Sequence, residues 1–415
     1  MTAYRNPHIR LWIDGVEIEQ PTDWVLQLEV EESVEEASTF KMTLDMSPIE
    51  GDWDLLEHGR FAEDNAIPDF SLLRRVTVEF SLVGSDETEP AIRAVVIDGY
   101  VTCVEPVYGE ERSSESQLVL SGMEASCLMH FETVTREWHG LTDAQIAQTI
   151  FQKYSFGFSS QTVEATVPLR DAGRASLVQR CTDAEFLQLL ARRNGFEWYL
   201  EPAQGDIRPG SHPAGSLVGH FHSPRPHADP QPPLQLFPHD APSLIEYRAR
   251  WESHQPACIR SWHIDEVDRR IQRAEVTEPG YQPLNAGGSS RARIISERLR
   301  EIFPSGNPPR ALDIQSRDVP HNAQEVVNLA CALYREVDWF VVGQGTVRCE
   351  LYPAIVRAGR PIELTGAGHL LDGRWYVKRV RHRWARDVED PEQEPVTRRY
   401  EADVTLVRND LGGTA

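Results

Sequence analysis

The sequence predicts a mainly β fold interrupted by α/β insertions, and three observations carry that expectation. Apolar and polar residues alternate in period two through much of the first 120 residues. The same alternation returns after Gly345, and capped helical patterns stand between the two stretches.

The first strands are explicit. Trp24, Leu26, Leu28 and Val30 alternate with Gln27, Glu29 and Glu31, and Phe40, Met42, Leu44 and Met46 with Lys41, Thr43 and Asp45. Val76, Val78, Phe80 and Leu82 alternate with Arg75, Thr77, Glu79 and Ser81. Each run puts its apolar side chains on one sheet face. Further strands are expected at 92–104 and 117–121, and Asp14-Gly15 reads as a hairpin turn. Five or more antiparallel strands with one wet face predict a barrel or sandwich over residues 1–139.

From 140 to 201 the period changes to that of an α/β insert. Thr142 with Gln145 and Thr182 with Glu185 have capping-box spacing. Ile146, Ile150 and Phe151 form one helical stripe; Phe186, Leu187, Leu190 and Ala191 form another, which Gly195 should end before a strand at 196–200. Residues 202–250 read as a Pro- and His-rich connection. A single strand at 217–221 crosses it, prolines keep the rest as loop, and a strand at 244–250 is expected to return to the first barrel. Residues 251–340 read as a linker, flexible near Gly287–Ser290, followed by a helix capped by Asn322 with the stripe Val326, Ala330, Leu333 and Val337. Residues 341–415 are β again, at Val347 to Leu351, Ile362 with Leu364, Trp375 to Trp384 and Tyr400 to Leu406. The order β, insert, β, insert, β suggests two related halves.

Composition narrows the function classes. The net charge of −22 opposes a nucleic-acid-binding surface. Residues 1–150 hold 9 Lys and Arg against 30 Asp and Glu, a net of −21, while the other 265 residues hold 33 against 34. Glu29, Glu31, Glu32, Glu35 and Glu36 belong to that acidic third. They read either as a solvated face or as a surface that repels polyanions. No apolar run has the length of a membrane helix, and no secretory signal is readable, so synthesis in a cytoplasm is expected. Cys103, Cys127, Cys181, Cys258, Cys331 and Cys349 form no C-x-x-C pair and read as reduced thiols.

Catalytic constellations are weak. His220 and His222 share a strand face, and His212, His227 or His239 could complete a zinc site, but Pro-rich connections fix no geometry. Ser121 opens no nucleophile elbow. Cys181, just before the Thr182 cap, reads as packing beside Val178 rather than as an activated thiol. Asp52 with Asp54 is a pairing that an acidic segment produces by chance. His382 alternates with Val380 and Trp384 and reads as a packed strand histidine, and Trp24, Trp375 and Trp384 as core rather than sugar platforms. No catalytic, cofactor-binding or metal-binding residue, and no cofactor, is assigned.

Several collinear phrases carry a resemblance: IDGV at 13–16, the strand 24–31, ASTFKMTL at 37–44, VIDGYVTCVE at 96–105, TDAEFLQLLARRNGFEWYL at 182–200, AGRPIELTG at 358–366 and GRWYVKRVRH at 373–382. In order and kind they resemble the phage late control protein D and VgrG-like family of baseplate hubs, with region 255–320 unplaced. The resemblance implies two similar β-barrels per chain and a homotrimer whose six barrels form a pseudo-sixfold ring. Such a ring adapts a sixfold tail tube to a threefold central spike. It also implies a non-enzymatic structural role in a phage tail, tailocin or extracellular contractile injection system. The expected partners are a separate spike protein, a tube or tube-initiator protein, other baseplate proteins, and a tape-measure protein or cargo in the lumen. No membrane partner and no specific nucleic acid are expected. A carbohydrate- or partner-binding β module is the alternative, and a metal-dependent hydrolase built on His220 and His222 a more distant one.

Overall fold

A computed structural model describes residues 5–18, 21–45, 71–84, 91–108, 116–166, 177–203, 217–237, 242–253, 258–264, 269–276, 282–305, 312–313, 323–386 and 398–413. Met46, Asp52, Asp54, His212, His239 and Asn322 lie outside the described residues.

Six strands open the chain: β1 (Arg5–Ile13), β2 (Val25–Ser33), β3 (Thr39–Asp45), β4 (Arg75–Gly84), β5 (Ile92–Val107) and β6 (Gln117–Glu124). They pair antiparallel in the order β1-β4-β5-β6-β3-β2. The period-two alternation sets the register. Phe40, Met42, Leu28, Val30, Val78 and Phe80 are buried on one face, with Lys41 and Glu29 on the other. Asp14 and Gly15 turn the chain at φ 49° and 83°, so that Val16–Glu17 pairs back on Trp12 and Ile13. Gly122 is required where Phe40 crosses the backbone, since a Cβ there would lie 2.3 Å from the ring.

The insert is larger than 140–201. Strand β7 (Thr133–Trp138) pairs with β8 (Leu177–Thr182), and β9 (Glu197–Pro202) pairs with β10 (Leu217–His222). The strand expected to cross the connection is therefore part of the insert. Between these hairpins lie α1 (Asp143–Lys153) and α2 (Asp183–Asn194). Both capping boxes form, and Gly195 ends α2 at φ 64°. Ile146, Ile150, Phe151, Phe186, Leu187, Leu190 and Phe221 build a core separate from that of the sheet.

The remaining chain contains β11 (Gln231–Gln235), β12 (Leu244–Trp251), β13 (Ile259–Ile264), β14 (Ile271–Val276), α3 (Arg291–Ile302), α4 (Ala323–Asp338), β15 (Val341–Arg348), β16 (Pro361–Thr365), β17 (Gly373–Arg386) and β18 (Arg398–Arg408). Strands β12-β15-β18-β17 run antiparallel in that order, and β17 then pairs with β2. The two halves are thus one hydrogen-bonded sheet with one continuous core, in which Phe80 of the first half stacks on Tyr400 of the second at 4.6 Å.

Three expectations are corrected here. Strand β12 joins β15, not the first strands, because its alternation specifies a face and leaves the neighbour open. Pro232 and Pro233 do not prevent a strand: β11 pairs parallel with β16, and both prolines sit where the register breaks, between Gln231 and Leu234. The stretch at Gly287–Ser290 is held rather than loose. Ser289–Ser290 pairs with Asp410–Leu411, and the Ser290 side chain caps α3.

A buried polar knot secures that corner. Arg408 pairs with Asp410 and donates to the carbonyls of Leu371 (3.0 Å) and Gly412 (3.1 Å). Asp410 accepts from the backbone and side-chain amides of Asn285 at 2.8 and 3.0 Å. Helix α4 buries Val326, Ala330 and Tyr334 against β13 and β14. No helix among the described residues is long and apolar enough to cross a membrane.

Candidate functional site

The residues that join the halves form a charge ladder on the wet face of the sheet. In the β2–β17 register Glu29 lies opposite Arg383, Glu31 opposite Arg381 and Ser33 opposite Arg379, so acidic and basic side chains share one face. Arg381 reaches Glu29 at 2.7 Å, and Arg379 reaches Glu31 at 3.2 Å and Glu36 at 2.8 Å. Lys378 pairs with Glu35. On its other edge Arg383 meets Glu401 at 3.2 Å and Asp403 at 3.0 Å. Exposed pairs of this kind contribute at most about 1 kcal/mol each. Their larger effect is on specificity, since an acidic–basic–acidic order of strands penalises other registers. The glutamates that suggested a free acidic surface are therefore matched to cations of the second half.

Glu32, on the opposite face of β2, is buried. It accepts from Arg357 Nε at 3.0 Å and from the Ala358 amide at 3.2 Å. Burial alone would raise its pKa, but Arg357 and His382 hold the carboxyl down at about 2. His382 lies 3.6 Å from Glu32 and bonds the Tyr400 hydroxyl at 2.7 Å, a packed strand histidine as expected.

The insert meets the sheet through a second polar cluster. Tyr376 of β17 donates to Glu197 of β9 at 2.6 Å, and Arg360 reaches Glu201 at 2.9 Å. Burial pushes Glu197 up to about 7. The Tyr199 ring stacks on His220 at 4.5 Å, and its hydroxyl lies 3.4 Å from His222 Nε2. Both histidines stay neutral, because burial lowers their pKa, that of His220 to about 4. They pack against Tyr199 where the insert meets the sheet. Among the described residues, His227 included, no three His, Cys, Asp or Glu side chains are grouped to hold a metal.

The other candidates are placed as follows. Cys181 is half-buried, and burial raises its pKa, the reverse of activation; its neighbour Val178 is exposed. Ser121 sits inside the β3–β6 ladder opposite Lys41. Trp24, Trp375 and Trp384 are core. Sequence reasoning missed Arg357, Tyr376 and Glu197, whose roles arise only when distant segments meet. It also missed β1, β13, β14 and α3.

The large sheet has one long end strand whose outer edge is unpaired among the described residues. That strand is β12, whose ladder is with β15 alone; β1 instead lies against Pro21–Asp23, Cys349–Leu351 and β18, whose Arg398 reaches His8 and Thr22. The β12 edge exposes Ile245 (44%) and Trp251 (50%).

Comparison with known proteins supplies the family. The sequence matches the phage tail baseplate hub (GPD) family over residues 60–388, and no curated protein matches it. The fold is similar to the 43 kDa tail protein of prophage MuSo2 from Shewanella oneidensis, with 16% identity, a TM-score of 0.58, and coverage of 98% of this chain and 99% of that one. A tail protein from Neisseria meningitidis MC58 gives 12%, 0.56, 97% and 96%. A chain of the Francisella PdpA–VgrG complex gives 11% and 0.55; all of this chain aligns to 60% of that one. Since the family match spans most of the sequence, the chain belongs to the phage tail baseplate hub (GPD) family, and its role is that of a structural baseplate hub protein.

Proposed function

We propose that the chain works as a homotrimer that couples a sixfold tail tube to a threefold central spike in a contractile tail or injection particle. The observations that carry this reading are the family match over residues 60–388 and the edge of β12, which pairs with β15 alone. An edge that long invites pairing with another chain unless covered. One subunit's edge laid on a different surface of the next makes a head-to-tail contact, which closes into a ring when the rotation permits. The first strands (1–139) and the last (341–415) would then serve as the two quasi-equivalent faces, with the α/β insert outside the ring contacts. Sheet edges closed in this way give a structural job to Ile245 and Trp251, which are otherwise costly to expose.

Native mass spectrometry over a range of concentrations tests the reading. Three chains of 47.0 kDa give 141 kDa. That species is expected as the assembled form, and a dimer or tetramer would overturn the ring.

A further inference from the structure

Two buried carboxyls flank the place where the insert joins the sheet, and among the described residues neither has a cation within salt-bridge distance. Glu124 ends β6, and the next residue, Ala125, already belongs to the core of the insert. Glu124 is 2% exposed. Ser126 Oγ donates to its Oε1 at 3.1 Å, and its Oε2 is buried with no hydrogen-bond partner among the described residues. The other groups that face it are Ser38, the Cys127 thiol and the ionised carboxylate of Glu32. Glu197 lies across the seam on β9, 7% exposed, opposite His222 and beside Tyr199, and takes the Tyr376 hydroxyl at 2.6 Å. Lys378 and Arg225 attract it from beyond salt-bridge distance, and Glu35 opposes them.

A carboxyl buried among hydroxyls costs least as the neutral acid, because the ion would leave water without a counter-charge. Burial accordingly pushes Glu124 up to about 8 and Glu197 up to about 7. We propose that these two protons hold the insert against the sheet, and that the seam opens when both are lost on the alkaline side of neutrality. The separate core of the insert lets it move as a body. Opening hydrates both carboxyls without dismantling the packing around Ile146, Phe186 and Phe221. Because both groups hold their protons more tightly when closed, their contribution is complete below about 4.5 and is lost as pH rises through 7 and 8. His220 and His222 do not offset it, since burial lowers both and each is neutral, closed or open, above 6.5. The Cys127 thiol, which burial pushes up to about 11, keeps its proton in the closed seam throughout the range tested.

Pulsed hydroxyl-radical footprinting of the full chain between pH 6.5 and 9 tests the proposal. Tyr199 and Tyr376 report the seam, while Tyr352 and Phe186, buried in the sheet and in the insert, serve as internal references. Labelling of Tyr199 and Tyr376 should rise at least about tenfold relative to the references as pH rises. The double replacement Glu124→Gln with Glu197→Gln removes both charges at nearly constant shape and should keep the labelling low throughout. Each single replacement should remove part of the rise, which keeps the test decisive if the double variant fails to fold. A wild-type seam that stays unlabelled up to pH 9 overturns the proposal, and so does a rise that the replacements leave unchanged. Labelling of Tyr352 and Phe186 in step with the seam would mean that the whole chain unfolds, and would overturn it as well.

Discussion

The seam between the two halves and the seam between insert and sheet are built on opposite principles. Strands β2 and β17 share a backbone ladder, a charge ladder and one apolar core, so neither half has a complete interior alone. The insert has its own core and meets the sheet through Tyr376–Glu197, Arg360–Glu201 and a small apolar cluster around Val34 and Tyr376. It touches α4 through Arg193, 3.1 Å from Glu325. Division of the chain by sequence order alone hides this difference. The boundary that follows β6 separates two cores, whereas the division between first and last strands runs through the middle of one.

Four measurements would break or sharpen the contrast. The largest effect is expected from Trp384→Ala, which removes an aromatic buried between β2 and β18. It should cost about 3–5 kcal/mol in urea unfolding and destabilise both halves in one transition. Separate transitions for the halves would refute the shared core. Next, Arg357→Ala leaves Glu32 buried without its cation. A loss of about 3 kcal/mol is expected, at the lower end for such pairs because His382 and the Ala358 amide remain. Arg357→Ala as stable as wild type would mean that Glu32 is not held by that pair.

The third concerns the insert seam. Burial raises Glu197 to about 7 against the opposing Tyr376 hydrogen bond and Lys378 and Arg225 charges, while Glu35 adds to the rise. The folded chain therefore binds this proton more tightly than the unfolded one. That contribution is complete at pH below about 4.5 and is lost as pH rises through 7. Glu197→Gln should flatten the fall in stability between pH 5 and 8, read as urea midpoints; an unchanged pH slope would exclude Glu197 as its source. The smallest effect is expected from Arg381→Ala, which removes one rung of the exposed ladder. Its cost should be about 0.2–1 kcal/mol and shrink in salt. A loss above 2 kcal/mol would mean that the ladder carries stability as well as register.

What was legible in the sequence follows from how local each signal is. The period-two strands, both capping boxes and the C-terminal Gly195 are set by residues within a few positions of one another, and they stand as read except at Leu26, where a bulge between Val25 and Gln27 puts Val25 in the core instead. Partner choice was not legible. The alternation of β12 is equally compatible with either half, and its bonding to β15 depends on a strand about a hundred residues away. The histidines show the same limit. His220 and His222 do share a face, but whether that face meets water, a metal or Tyr199 is decided by the fold. Glu29 to Glu36 looked like a repelling surface because their cations lie at the far end of the chain.

That separation has a consequence for synthesis. Arg381 follows Glu29 by 352 residues. At ribosomal rates of about 5–20 residues per second, strand β2 waits roughly 20–70 s for the strand that completes it. During that interval its edge is bare, while Glu29, Glu31, Glu35 and Glu36 stand beside it without their cations. Like charges along a bare edge oppose pairing with another nascent chain. The glutamates that later fasten the halves together thus first serve to keep an unfinished protein to itself.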